Sequence, residues 1–206
     1  MRKRVRELLS RSARHEEIYD SAYFASVEAS SSAGADVMAG TLLRIFQPKD
    51  VVDIGCGTGS LLLALHKAGV SAAGYDYSEP ALDACRRKGL RVQRLNLESC
   101  ATRFSPIGDL VVSFEVAEHL DAQHADAYVS LLTRIGPNLA FSAATPGQGG
   151  DDHVNEQPHG YWIGKIEATG MRLLQEATQE ARREWVQCGV PSEYSANLLL
   201  FSRNSL

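Results

Sequence analysis

The chain has 206 residues, 44% of them hydrophobic and 22% charged, with a formal net charge of −4. That length supports one domain with a core of its own, and the acidic balance argues against a general nucleic-acid binder. No apolar run approaches the ~20 residues of a membrane span, and the basic start at residues 1–9 lacks the apolar stretch of a secretory signal. Four scattered cysteines (Cys56, Cys85, Cys100, Cys188) form no C-x-x-C pair, which favours reduced thiols in a cytoplasmic setting over zinc or disulfides.

Residues 1–47 read as a helical segment apart from the rest. Arg2, Lys3, Arg4, Arg6, Arg11 and Arg14 interleave with Glu7, Glu16 and Glu17, the pattern of a solvated face. Tyr19 and Tyr23 are four apart and share a helix face, and Ser30-Ser31-Ser32-Ala33-Gly34 reads as a loop. Residues 48–206 read as one globular unit in which strands and helices alternate. A strand over 51–54 leads into a helix over 61–67, closed by Gly69, and a second strand follows over 72–75. Ser78 caps the next helix, with Pro80 in its first turn and Gly89 past its end. Strands over 91–95 and 109–114 precede a helix over 125–135, stopped by Gly136-Pro137, and a strand over 139–143. After a glycine-rich stretch over 145–159, a helix over 161–168, a strand over 171–175, a helix over 180–187 and a strand over 198–201 complete the chain. This alternation predicts an α/β fold, a mainly parallel sheet with helices on both faces and ligands beyond the carboxyl ends of the strands.

The most informative stretch is Val51-Val52-Asp53-Ile54-Gly55-Cys56-Gly57-Thr58-Gly59-Ser60. A strand stops at a glycine turn and a helix begins at once, which brings bare backbone and free N–H groups against a nucleotide-like ligand. Cys56 fits there as a small residue, since no base adjoins it in sequence. Asp76 ends the second strand ~20 residues later, where an acid can hold ribose hydroxyls. A nicotinamide enzyme and an S-adenosylmethionine enzyme both satisfy that much. The glycine spacing, with Ser at position 60, and the lack of a hydride-transfer constellation disfavour the former.

Asp53-Ile54-Gly55-Cys56-Gly57-Thr58-Gly59 followed by Gly74-Tyr75-Asp76-Tyr77-Ser78 resembles the class I S-adenosylmethionine-dependent methyltransferases. Asn96-Leu97-Glu98, Ser113-Phe114-Glu115-Val116-Ala117-Glu118-His119-Leu120 and Asn197-Leu198-Leu199-Leu200-Phe201 extend the resemblance, the second of these toward the small-molecule branch. The resemblance implies a Rossmann-like seven-stranded, mostly parallel sheet whose last strand is antiparallel. It implies that Gly55, Cys56, Gly57 and Gly59 cradle the methionine part of the cofactor and that Asp53 orients the turn. Asp76 would take the ribose hydroxyls, Tyr77 would flank the adenine, and Asn96 or the Leu97 amide would meet its edge. Glu115 lies at the cofactor's methyl end, and the segment holding Tyr19 and Tyr23 resembles a lid; aromatic packing against the sheet is the other reading of that pair.

On the acceptor side, Glu118, His119 and His153 are the candidates for handling a proton; a helix-start residue bonded to backbone is the plainer reading of His119. His153, Asn155, Gln157, Tyr161 and Trp162, from a loop long enough to be functional, are the candidate substrate contacts. The expected reaction moves a methyl group from S-adenosylmethionine to an oxygen or nitrogen of a small-molecule acceptor, without a metal. Two rivals stay open. Glu115, Glu118, His119 and His153 also resemble the divalent-metal site of small-RNA 2′-O-methyltransferases, and a non-catalytic S-adenosylmethionine-binding protein would keep the same pocket.

Overall fold

The computed structural model describes residues 21–98 and 107–204, with side chains from residue 34 onward. In chain order the elements are α1 (Ser21–Phe46), β1 (Asp50–Ile54), α2 (Ser60–Lys67), β2 (Ser71–Asp76), α3 (Glu79–Arg87) and β3 (Val92–Arg94). There follow β4 (Leu110–Phe114), 3₁₀ turns at Ala117–His119 and Ala122–His124, α4 (Ala125–Ile135), β5 (Asn138–Ser142) and α5 (His159–Glu167). β6 (Arg172–Leu173), α6 (Gln175–Gln187), α7 (Ser192–Asn197) and β7 (Leu199–Ser202) complete the described residues. Among those residues the sheet has seven strands in the order β3-β2-β1-β4-β5-β7-β6. β7 runs antiparallel to both neighbours, and the other adjacent pairs are parallel. The expected Rossmann-like sheet with a reversed last strand is the one present.

Strand parity explains the layers. Val52, Ile54, Val111, Leu139, Phe141, Leu199 and Phe201 share one apolar cluster with Tyr128, Leu132 and Ile135 of α4 and Trp162 and Ile166 of α5. Their neighbours Val51, Leu110, Val112, Ala140 and Leu200 point the other way, toward Met38 and Leu42 of α1, Leu65 of α2 and Trp185 of α6. Alternate residues of a strand face opposite sides, so continuous apolar runs mark strands covered on both faces. Side-chain bonds then tie the layers together. Ser113 Oγ donates to Ile54 O at 2.6 Å and lies 2.5 Å from Tyr128 Oη, joining β1, β4 and α4.

Several boundaries differ from the sequence reading. Residues 30–34 are not a loop but lie inside α1. Serine and alanine cost a helix little, and Gly34 supplies a close approach, since a Cβ there would sit 3.1 Å from Val190 Cγ2. The sixth strand shrinks to Arg172–Leu173 and α6 begins at Gln175 rather than 180. Leu174 N–H still pairs with Leu200 O at 2.8 Å, after which Thr178 Oγ1 accepts from buried Leu200 N–H at 3.1 Å. Tertiary bonds therefore pull the helix start forward. Asn197 ends α7, a helix the sequence reading lacks, and the last strand starts at Leu199.

The turn after α4 has no room for a side chain, because a Cβ on Gly136 would lie 2.2 Å from Gly108 O. Gly136→Ala is expected to destabilise the fold by about 1–3 kcal/mol in chemical denaturation, the cost of forcing atoms into a filled space.

Candidate active site

The carboxyl ends of the parallel strands open into one large cavity of about 1240 Å³. Its floor is the turn after β1. Gly55, Gly57 and Gly59 all have positive φ (83°, 51° and 78°), as the sequence pattern requires. Their reasons differ. A Cβ on Gly55 would fall 2.2 Å from Val116 Cγ2, so this glycine lets the turn after β4 pack against the turn after β1. A Cβ on Gly57 would meet no protein atom within 4 Å, and Gly57 lines the cavity. Gly59 does not line it; a Cβ there would meet Leu90 Cδ1 at 2.7 Å and Cys85 Sγ at 2.8 Å. The third glycine thus serves helix packing rather than an open surface.

Asp76, at the end of β2, joins the turn to the strand. Its Oδ2 accepts from Gly57 N–H and its Oδ1 from Ser78 N–H, both at 2.8 Å. Burial raises its pKa, and these backbone donors pull it back. Asp53, 5% exposed, is pushed up to about 7, first by loss of water and then by the charge of Asp76. Tyr77, Asn96 and Leu97 line the same end of the cavity. Arg94 stacks over the Tyr77 ring at 4.8 Å, and Asn96 Oδ1 accepts from Glu98 N–H at 2.9 Å.

At the opposite end, Glu115 follows β4 with φ 52°, an uncommon conformation for a side-chain-bearing residue. Its N–H pairs with Ser142 O and Oγ, both at 3.1 Å. Its carboxylate receives Gln148 Nε2 at 3.1 Å and Asn197 Nδ2 at 3.3 Å, while Asn197 Nδ2 also reaches Gln148 Oε1 at 2.8 Å. Burial raises the Glu115 pKa, and these donors offset part of that. Glu118 is fully buried, with its carboxyl against the Ala144 backbone and the Glu115 side chain. Desolvation, then the neighbouring Glu115, push it up to about 9. The rings of His119 and His153 meet edge-on at 4.9 Å.

Of the expected substrate contacts, only His153 lines the cavity. Asn155 is buried beneath it, with Nδ2 on Ala117 O at 3.4 Å and Oδ1 accepting from Gln157 Nε2 at 3.0 Å. Trp162 is 1% exposed and packs at a tilt against Phe141 in the core, and Tyr161 packs on Trp162 and beneath Lys165. Helical period places Trp162 on the sheet side of α5. Gln148, Tyr194 and Asn197 line the cavity instead. Gln148 sits in the loop that the sequence singled out. Tyr194 and Asn197 depend on α7, whose Pro191-Ser192-Glu193 start is its local signal. Tyr19 lies outside the described residues, as does the side chain of Tyr23.

With this geometry in hand, comparison with known proteins is specific. A family profile described as a methyltransferase domain matches residues 32–182. A ubiquinone biosynthesis O-methyltransferase of Methylococcus capsulatus is 37% identical over 101 residues, which is 46% of this chain and 43% of that protein. The protein of that description from Alkalilimnicola ehrlichii is 26% identical over 168 residues, 76% of this chain and 63% of its own length. The chain thus spans less than two thirds of these curated relatives. Among solved structures, the magnesium protoporphyrin IX methyltransferase of Synechocystis with bound S-adenosylhomocysteine superposes with a TM-score of 0.59 at 20% identity, covering 70% of this chain and 75% of that one. An S-adenosylmethionine-dependent methyltransferase from Archaeoglobus fulgidus gives 0.58 at 14% identity, covering 81% and 92%. The structural likeness concerns the fold.

Two outcomes follow from these placements. Trp162→Ala is expected to cost about 3–5 kcal/mol of stability, as for a core aromatic, measured by denaturant unfolding. Asp53 carries a pH signature. Between an unfolded pKa of 3.8 and a folded value of about 7, the unfolded chain holds fewer protons, so this residue's contribution to stability falls as pH rises through that window. Asp53→Asn removes that component, and its stability advantage over the parent grows from pH 4 to pH 7 in parallel denaturation curves.

Proposed function

The chain belongs to the methyltransferase-domain family, the class I S-adenosylmethionine-dependent enzymes, and on that premise we propose that its cavity passes a methyl group to an oxygen or nitrogen of a small molecule. The residues present fit the cofactor. Gly57 leaves open space where a side chain would stand, and Asp76 keeps lone pairs beyond those used by the Gly57 and Ser78 amides. That pairing of bare backbone with a half-buried acid carries the reading. Asp76 would hold the ribose hydroxyls by charge-assisted bonds, and Tyr77, Asn96 and Leu97 would enclose the base. The turn of Gly55, Cys56 and Gly57 would face the methionine portion, with Asp53 beneath it.

When bound, the cofactor supplies a sulfonium methyl carbon open to in-line displacement. What the protein contributes is placement, worth up to ~7–11 kcal/mol when both partners are held in line. Glu115, fixed by Gln148 and Asn197, sits beside the space where the two would meet. Glu118, His119 and His153 form the acceptor side, where a hydroxyl or amine proton would be handled. The names of the curated relatives, O-methyltransferases of ubiquinone biosynthesis, support an oxygen acceptor and a small molecule. Ala35 and Met38 of α1 line the cavity, which supports a covering role for the segment over 1–47. No helix among the described residues is long and apolar enough to cross a membrane.

Calorimetry with S-adenosylhomocysteine tests the reading. Asp76→Ala is expected to weaken binding about 10²-fold, the loss of two hydrogen bonds to a charged group, and Gly57→Ala to weaken it at least tenfold while circular dichroism stays unchanged. Absence of binding by the unaltered protein, or equal affinity in both variants, overturns it. Release of S-adenosylhomocysteine in a screen of phenols, alcohols and amines then separates a transferase from a protein that only binds.

A further inference from the structure

Two buried thiols meet under the glycine turn. Cys56 belongs to the turn itself and lines the cavity, whereas Cys85 comes from the last turn of α3 and is fully buried. Their sulfurs converge on one atom, lying 3.8 and 3.2 Å from Gly57 O, and the thiols also hydrogen-bond to each other. Neighbouring glycines clear the space for both: a Cβ on Gly74 would fall 2.7 Å from Cys56 Sγ, and one on Gly59 2.8 Å from Cys85 Sγ. Leu62 and Leu90 close the cluster around them. Packing alone asks only for two small residues here. Two sulfurs in hydrogen-bond contact add a chemistry that alanine or serine lacks. The pair is also uneven. The bond from Cys56 draws Cys85 toward its thiolate, and Lys88, whose Nζ reaches Thr58 O at 3.0 Å, adds to that against the effect of burial. The same bond, then burial and the charges of Asp53 and Asp76, push Cys56 up.

We propose that Cys56 and Cys85 are an oxidation site, a dithiol that a peroxide converts to a disulfide when the cofactor is absent, and that this disulfide closes the cofactor site. The oxidant arrives through the cavity, where Cys56 stands in the turn that would face the methionine portion. The S–H···S bond lets the shared proton pass to Cys85, so that Cys56 meets the peroxide as the thiolate. The Cys56 sulfur takes one oxygen as the O–O bond breaks, and the other oxygen leaves as water. The Cys85 sulfur then attacks the Cys56 sulfur, and the hydroxyl departs with the Cys85 proton as a second water. Two thiols thereby lose two electrons and one peroxide becomes two waters. The linkage acts on the cofactor through the backbone. Gly57 N–H, in the peptide that follows Cys56, donates to Asp76 Oδ2 at 2.8 Å. Drawing Cys56 toward α3 moves that peptide, and with it the bare surface at Gly57. The effect on the cofactor rests on the methyl-transfer reading; the oxidation itself does not.

The test treats the full chain with hydrogen peroxide, with and without S-adenosylhomocysteine, and maps linked peptides by mass spectrometry without reduction. A Cys56–Cys85 linkage is expected, formed roughly tenfold or more slowly with the ligand at about 100 times its Kd. Calorimetry is expected to show S-adenosylhomocysteine affinity falling about tenfold or more on oxidation, the loss of one hydrogen bond to a charged group, and returning with dithiothreitol. In Cys85→Ser and Cys85→Ala the Cys56 thiol has no sulfur to take its proton, so treated and untreated protein bind alike. Cys188→Ser, at an exposed position, behaves as the parent. No linkage, linkage to Cys100 or Cys188 instead, linkage at an equal rate with the ligand bound, or undiminished affinity after linkage overturns the proposal. If the linkage forms but the untreated protein binds no S-adenosylhomocysteine, the cofactor reading falls and the oxidation site alone stands.

Discussion

The contact between the bare α-carbon of Gly55 and the side chain of Val116 governs how the two ends of the cavity relate. A methyl group on Gly55 would lie 2.2 Å from Val116 Cγ2, so the turns after β1 and β4 are in direct van der Waals contact. β1 and β4 are adjacent and parallel, with Asp53 opposite Val112. Their turns therefore leave the sheet side by side, one toward α2 and the other toward the 3₁₀ turn at Ala117–His119. Val116 stands between Glu115 and Glu118 in sequence, so the same contact sets the distance from the glycine turn to both acids. For a reaction whose main demand is alignment, a packed contact is a better spacer than a free loop.

Around that joint the cavity gathers carboxyl groups rather than cations. Asp53, Asp76, Glu115 and Glu118 all have pKa values raised chiefly by burial. Each costs the ligand-free fold something, because a buried acid must either give up its charge or lose its water. A positively charged ligand reverses that balance. The proposed cofactor carries a sulfonium and an ammonium. Strain and desolvation concentrated where ligands bind are the expected mark of a functional site on an otherwise regular fold. The rest of the turn is held from below, with Cys85 Sγ on Gly57 O at 3.2 Å and Lys88 Nζ on Thr58 O at 3.0 Å.

The sheet was legible in the sequence because its central strands β1, β4 and β5 are apolar on both faces and alternate with helices. The helix over 125–135 matched residue for residue, and Ser78 caps α3 through Ala81 N–H at 3.4 Å as expected. What could not be read depended on distant neighbours. Residues 30–34 carry loop-like composition, but the helix they continue is pressed against Val190. Three identical residues in the glycine turn have three different surroundings: Val116, open cavity, and the Leu90–Cys85 pair. Trp162 was expected to meet the substrate, whereas the core claims it through α5. Tyr194 and Asn197 reach the cavity because α7 returns the chain to the carboxyl end of the sheet, a path set by tertiary packing.

Glu115 and Glu118 show how one short segment divides two tasks. They are three residues apart, just after one strand, Glu115 half-buried and Glu118 fully buried. Glu115 is placed by a left-handed backbone that sends its carboxylate to the amides of Gln148 and Asn197. Amide donors stabilise the charged form, and a carboxylate so satisfied is suited to fixing geometry rather than to exchanging protons. Glu118 sits in the 3₁₀ turn, fully buried, close to His119 and His153. With Glu115 adjacent, a second charge there is unfavourable, and burial followed by the Glu115 charge raises the Glu118 pKa. Two acids whose surroundings differ this much are not redundant: one orders the polar wall through Gln148 and Asn197, and the other lies fully buried beside His119 and His153.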